Sequence, residues 1–155
     1  MYTFERATLI KAPVDEVFEF FEDPRNLSKI TPKGMIFDIT DIDELPVRSG
    51  FRIEYSIRVM GIPVKWVTQI PIYEPPDRFV DSQEKGPYKS WLHEHTFEDR
   101  GGQTLMTDRV QYELPFGILG KVAHSLLVSR QLRDIFDYRG RKIRKIFGER
   151  QVAVI

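Results

Sequence analysis

The chain has no cysteine. That excludes disulfides, thiol nucleophiles and zinc sites built on cysteine, and it suits a reducing cytosol. No apolar run is long enough to cross a bilayer, and residues 1–10 alternate polar with apolar instead of carrying a basic leader. Neither a signal peptide nor a membrane span is expected, and the expected location is cytoplasmic. Net charge is also missing, because Lys plus Arg and Asp plus Glu both number 23. A neutral chain has no global pull toward nucleic acid, so no nucleic-acid partner is expected. Internal repeats and low-complexity linkers are absent too. A chain of 155 residues is one domain by default, with enough chain to bury a core that encloses a cavity. That domain is expected over residues 1–148, with 149–155 as a C-terminal tail.

The longest coherent pattern runs from Ile118 to Gly148 without a proline. Leu119, Val122, Leu126, Val128, Leu132, Ile135, Phe136, Ile143 and Ile146 recur at three-and-four spacing, which predicts one amphipathic helix of about thirty residues, roughly 45 Å long. A helix of that length needs a broad surface to lie on. Its polar side carries nine cations from Lys121 to Arg150 against Asp134, Asp137 and Glu149. Such a face is solvated, or it makes transient contact with anionic lipid headgroups.

Upstream, the chain reads as strands with one helical interruption. Tyr2 to Lys11 alternates. Ala12-Pro13 then turns into a short helix whose stripe is Val14, Val17, Phe18 and Phe21, and Asp23-Pro24 starts a second with Asp as N-cap. From Phe51 the alternation of Phe51, Ile53, Tyr55, Ile57 and Val59 with polar residues marks strands with one buried face. Met60-Gly61 and Gly101-Gly102 read as tight hairpin loops. One strand, two short helices, about six more strands and a long helix make an α+β fold.

Chemistry concentrates on the last two strands before the helix. Trp91, His93, His95 and Phe97 share one face of their strand, and Thr104, Met106, Asp108, Val110 and Tyr112 share the inner face of the next. A two-residue Gly101-Gly102 loop sets the register: Arg100 faces Gln103, Phe97 faces Met106, His95 faces Asp108 and Trp91 faces Tyr112. The expected polar cluster is therefore His93, His95 and Asp108 in an aromatic surface, with Asp81 nearby because Phe79, Asp81 and Gln83 share a face. It serves as the polar end of a ligand cavity or as an internal network that satisfies its own members. His95 is expected to give one N–H to Asp108. Two histidines one residue apart in a strand can also reach one ion, but no metal and no cofactor are expected. Tyr55, Trp66 and Tyr112, with Leu132 and Phe136 from the helix, are the expected apolar lining. Pro115 to Gly120 is either a lid or a plain corner.

Ala12-Pro13-Val14-Asp15-Glu16-Val17-Phe18, Asp23-Pro24-Arg25-Asn26-Leu27, Pro75-Pro76-Asp77-Arg78-Phe79 and the run Gly86 to Phe97, in this order of elements, resemble the START-like superfamily. The likeness covers nearly the whole chain and is strongest to its bacterial ligand-binding branch, called polyketide cyclase/dehydrase or SRPBCC. The resemblance implies a helix-grip fold, a curved seven-stranded antiparallel sheet wrapped around a long C-terminal helix with an apolar cavity between them. It transfers no catalytic signature. Three functions fit it: binding or carriage of a small hydrophobic or aromatic ligand such as a lipid, quinone or polyketide; a cyclase or dehydratase using His93, His95 and Asp108 as acid and base; and a partner-binding protein with a collapsed cavity. Oligomeric state leaves no mark in the sequence.

Overall fold

The computed structural model describes residues 1–148 and the backbone of Ala153–Val154. Strand β1 (Tyr2–Ile10) leads into helix α1 (Val14–Glu22), a 3-10 turn at Pro24–Asn26 and the one-turn helix α2 (Leu27–Ile30). The Asp23 carboxylate accepts from the Arg25 backbone N–H at 3.0 Å, which is the cap expected of Asp before Pro. In α1, Val17, Phe18 and Phe21 are buried, while Asp15 and Glu16 occupy the first turn, where the helix dipole favours negative charge.

Six strands follow: β2 (Asp38–Ile42), β3 (Phe51–Val59), β4 (Ile62–Glu74), β5 (Arg78–Lys85), β6 (Ser90–Asp99) and β7 (Thr104–Glu113). They pair antiparallel in the order β2-β3-β4-β5-β6-β7-β1, so the first strand closes the sheet beside the seventh. An eighth, two-residue strand, β8 (Ala153–Val154), adds to the free edge of β1. Part of the expected tail is thus paired with the sheet, whereas 149–152 and 155 lie outside the described residues.

Both hairpin loops take positive φ at their two central residues, as two-residue turns of this kind require: Met60 and Gly61 at 51° and 78°, Gly101 and Gly102 at 69° and 84°. The count across Gly101-Gly102 holds throughout. Arg100 N–H donates to Gln103 at 2.8 Å, and Phe97–Met106, His95–Asp108 and Trp91–Tyr112 are directly opposed.

The C-terminal helix runs from Gly117 to Ile146, but in three parts: α3 (Gly117–Ala123), a π turn (His124–Val128) and α4 (Ser129–Ile146). This corrects the expectation of a single buried stripe. Val128, Leu132, Phe136 and Ile143 are buried, whereas Leu119, Val122 and Leu126 are exposed. Two causes act together. The π turn inserts extra helical phase between the two α segments, and a ten-residue strand such as β6 is about 33 Å long. A thirty-residue helix of about 45 Å overhangs it by roughly the length of α3. Pro115 to Gly120 is a tight corner: Phe116 and Gly117 have positive φ, and a Cβ on Gly120 would stand 2.3 Å from the Pro115 carbonyl oxygen.

Two apolar clusters fill the space between sheet and helices. One gathers Phe18, Phe21, Phe51, Phe79, Phe97 and Met106 under α1 with Ile143 of α4. The other holds Val110 and Tyr112 against Val128, Leu132 and Phe136.

Candidate functional site

Between those clusters the inner face of the sheet carries charge. His93 and His95 on β6, Asp81 on β5 and Asp108 on β7 form a four-membered ring of side chains. The directly opposed pairs are the longer ones: His95 Nδ1 to Asp108 Oδ1 is 3.2 Å and His93 Nδ1 to Asp81 Oδ2 is 3.6 Å. The hydrogen bonds run along the diagonals, His93 Nε2 to Asp108 Oδ1 at 2.8 Å and His95 Nε2 to Asp81 Oδ2 at 2.7 Å. The expected His95–Asp108 hydrogen bond is therefore replaced by a His93–Asp108 one, although the register is as expected. Sheet twist brings one diagonal neighbour within reach of a side chain as long as histidine. The imidazoles lie 3.8 Å apart, His95 stacks on Phe79 at 4.2 Å, and His93 meets the ring of Phe136 at 5.8 Å.

Arg139 completes the ring from the helix side. Its Nη1 is 3.9 Å from Asp108 Oδ1, and its guanidinium lies over the Phe136 ring at 4.8 Å. By sequence alone Arg139 counts with the solvated basic face. The signal that places it inside is phase, because Leu132, Phe136, Arg139 and Ile143 follow four-three-four spacing along one helix stripe.

The environment sets the two histidines apart. Burial pushes His95 down, yet the carboxylates of Asp108 and Asp81 on either side outweigh it, and its pKa is raised. Burial and the neighbouring charge of His95 outweigh the same carboxylates at His93, whose pKa is lowered. Burial opposes ionisation of Asp108 and Asp81, but the histidines hold both below the ordinary carboxylate range. Below the raised pKa of His95, the imidazolium and Arg139 balance the two carboxylates. A buried cluster can keep its charges only with such pairing.

The ring forms part of one wall of a cavity of about 160 Å³ between the sheet and α4. Of the expected site residues, Tyr55, Trp66, Asp81, Trp91, His93, His95, Leu132 and Phe136 line it. Asp108 and Tyr112 do not. Asp108 stands behind the histidines. Tyr112 is packed in the second apolar cluster, and its hydroxyl is 2.7 Å from His124 Nε2. Tyr88 and Arg139 also line the cavity and escape the sequence reading. Tyr88 lies in the connection between β5 and β6, outside both strands, so strand alternation does not reach it. Its phenol, like that of Tyr55, is held neutral by burial, with pKa raised.

Among the described residues the buried donors Trp66 Nε1 and Arg139 Nε have no hydrogen-bond acceptor, and His95 Nδ1 lacks hydrogen-bond geometry to Asp108. Indole and guanidinium only donate. Trp66 and Arg139 thus add donor-only side chains to a lining that also holds the carboxylates of Asp81 and Glu22. Asp81, His93 and His95 could also offer ligand atoms within 4.8 Å of one another. Their nitrogens face carboxylates, however, and the fixed charge of Arg139 beside Asp108 repels a dication.

A curved antiparallel sheet closed by a long C-terminal helix over a lined cavity defines a helix-grip protein. The chain belongs to the polyketide cyclase / dehydrase and lipid transport family, whose model matches residues 10–136. Solved structures share the fold at low identity. The protein TTHA0849 from Thermus thermophilus is 16% identical over 94% of this chain and 97% of its own, with a TM-score of 0.70. The major latex-like protein 151 of Panax ginseng is 19% identical over 94% and 97%, TM-score 0.69. The Zhui aromatase/cyclase from Streptomyces sp. R1128 is 15% identical over 94% and 95%, TM-score 0.68. No curated protein matches the chain. No helix among the described residues is long and apolar enough to cross a membrane.

Proposed function

We propose that this protein binds and carries a small hydrophobic or aromatic ligand that presents an acceptor oxygen, such as a carbonyl, carboxylate or phenolate. The observation that carries the reading is an aromatic-walled cavity lined by Trp66 and Arg139, two donor-only side chains whose buried Nε1 and Nε have no acceptor among the described residues. A buried donor without a partner costs free energy, and a ligand oxygen removes that cost. The volume of about 160 Å³ is sufficient for an aromatic ring, since an apolar cavity of ~150 Å³ admits benzene.

Both tryptophans of the chain, Trp66 and Trp91, line the cavity, so intrinsic fluorescence reports its occupancy. Titration with 2-naphthoate should give saturable quenching, naphthalene should bind more weakly, and Arg139→Gln should weaken naphthoate about tenfold. Equal binding of both probes with no effect of Arg139→Gln would remove the acceptor-oxygen reading. Absence of any quenching would remove the cavity reading.

One observation favours a second reading, a cyclase or dehydratase. A pair of adjacent titratable groups with pKa values pushed in opposite directions is the arrangement that acid–base chemistry uses. Here His93 is pushed down and His95 up, and both line the cavity. In that reading His93 takes a proton and His95 gives one, with Asp108 and Asp81 orienting the rings. Turnover of an aromatic or polyketide-like substrate with a bell-shaped pH dependence, lost in His93→Gln, separates it from carriage, which returns the ligand unchanged.

A further inference from the structure

α3 and the β3–β4 hairpin tip carry apolar side chains that the fold does not use. Phe116, Ile118 and Leu119 are 81%, 78% and 75% exposed, and Met60 and Ile62 are exposed as well. They are not scattered. Met60, Phe116, Leu119 and Leu127 line one outer groove of about 360 Å³, and Val59, Tyr88 and Gln131 belong both to that groove and to the inner cavity. The groove and the cavity therefore share a wall. Met60 and Phe116 hold φ values of 51° and 71°, a region that bulky residues enter at a cost, and both expose their side chains at a tip.

Charge identifies what covers this rim. The segments 56–73 and 114–133 contain Arg58, Lys65, Lys121, Arg130 and Arg133 and not one Asp or Glu. At the chain's average of 23 carboxylates in 155 residues, they would hold about five or six. A second copy of this chain would set cation against cation, which opposes self-association. Lys65 is paired with Glu54, and Glu113, beside Leu114, with Lys89, so Arg58, Lys121, Arg130 and Arg133 carry the excess charge around the rim. An apolar rim with an excess of cations is complementary to an anionic lipid surface, where apolar side chains enter the headgroup boundary and cations meet phosphates. We infer that α3 and the β3–β4 tip form a docking surface for anionic phospholipid bilayers, seated beside the cavity. The long basic face of α4 is not the principal contact. That the cavity is loaded there rests on the ligand-binding reading above; the docking does not.

Flotation of the full chain with vesicles tests this. Binding to vesicles of phosphatidylglycerol mixed with phosphatidylcholine is expected, with little binding to phosphatidylcholine alone and a loss at high salt. The double variant Phe116→Ser, Leu119→Ser should stop floating yet keep naphthoate quenching and its circular dichroism, because neither side chain lines the inner cavity. Charge reversal of Lys121 and Arg130 to Glu should lower partitioning about tenfold or more. No flotation of the wild type, equal flotation on neutral vesicles, or full flotation of the serine variant would overturn the proposal. So would a wild-type dimer in solution that the serine variant converts to monomer, since the rim would then belong to a second copy. Flotation without naphthoate binding would support docking while removing the carrier reading, and naphthoate binding without flotation would do the reverse.

Discussion

Replacing Asp108 by Asn keeps the shape of the side chain and removes one charge from a ring that balances its own. Asp108 is buried, bonded to His93 at 2.8 Å, and within 3.2 Å of His95 and 3.9 Å of Arg139. At an effective dielectric of ~20, charges 4 Å apart interact by about 4 kcal/mol, which sets the scale of each contact. Not all of that is lost, because His95 can release its proton. Arg139 cannot, and it is left over the Phe136 ring with only the more distant Asp81 as a counter-charge. Breaking a buried pair from one side typically costs about 3–5 kcal/mol. The lower value already corresponds to a fall in melting temperature of about 6–12 °C for a chain of this size. Both imidazoles should titrate at lower pH in the variant, since burial then acts on His95 with one carboxylate fewer and on His93 with a neutral hydrogen-bond partner in place of a charged one. Arg139→Gln in the Asp108→Asn background should cost less than in the wild type, because the two residues act as a unit. Thermal unfolding and histidine ring NMR measure these quantities. A melting temperature within about 1 °C of wild type, with His95 titrating unchanged, would show that the ring holds no charge worth balancing.

The pH dependence of stability follows from the opposed shifts. His95 has a raised pKa, so its contribution is complete below about 6.5 and is lost as pH rises through its folded value. His93 is lowered, so its contribution is present above the unfolded value and is lost as pH falls toward its folded one; Asp81 and Asp108 add a further loss at lower pH. Denaturant titrations across pH should show greatest stability near pH ~6.5, and a monotonic rise through neutrality would contradict the assignment of the two histidines. Leu132→Ala should cost about 2–3 kcal/mol, toward the low end for a buried leucine because this side chain already borders the cavity. Its unfolding midpoint should recover in part with added 2-naphthoate, and an unchanged midpoint would mean that α4 is not gripped by the sheet.

Much of the fold was legible because its signals are local and geometric. Alternation on β3, β6 and β7 marked their inner faces, and the two-residue Gly101-Gly102 loop set every pair between β6 and β7. What the sequence hid depends on features with no linear signature. The partner of each histidine is decided by twist and rotamer, so counting placed His95 opposite Asp108 while the shorter bonds formed on the diagonals. The π turn at His124–Val128 changed the phase of a stripe that looked continuous, which left Leu119, Val122 and Leu126 in solvent. Arg139 was obscured by its neighbours, since Arg141, Lys142, Arg144 and Lys145 made the whole segment read as a solvated basic face. Tyr88 follows a Gly-Pro turn, and turn residues have no period to follow.

The central claim is that a ligand occupies the cavity between sheet and helix with its oxygen toward Arg139 and Trp66. Intermolecular NOEs between 2-naphthoate and the isotope-labelled protein test it most directly. Contacts are expected from the naphthalene ring to Trp66, Trp91 and Phe136, with the carboxylate end nearest Arg139 and a downfield shift of the Trp66 indole N–H. Contacts confined to Phe116, Leu119 and Met60 in the outer groove, or a naphthalene ring at Trp91 with its carboxylate pointing away from Arg139, would contradict it.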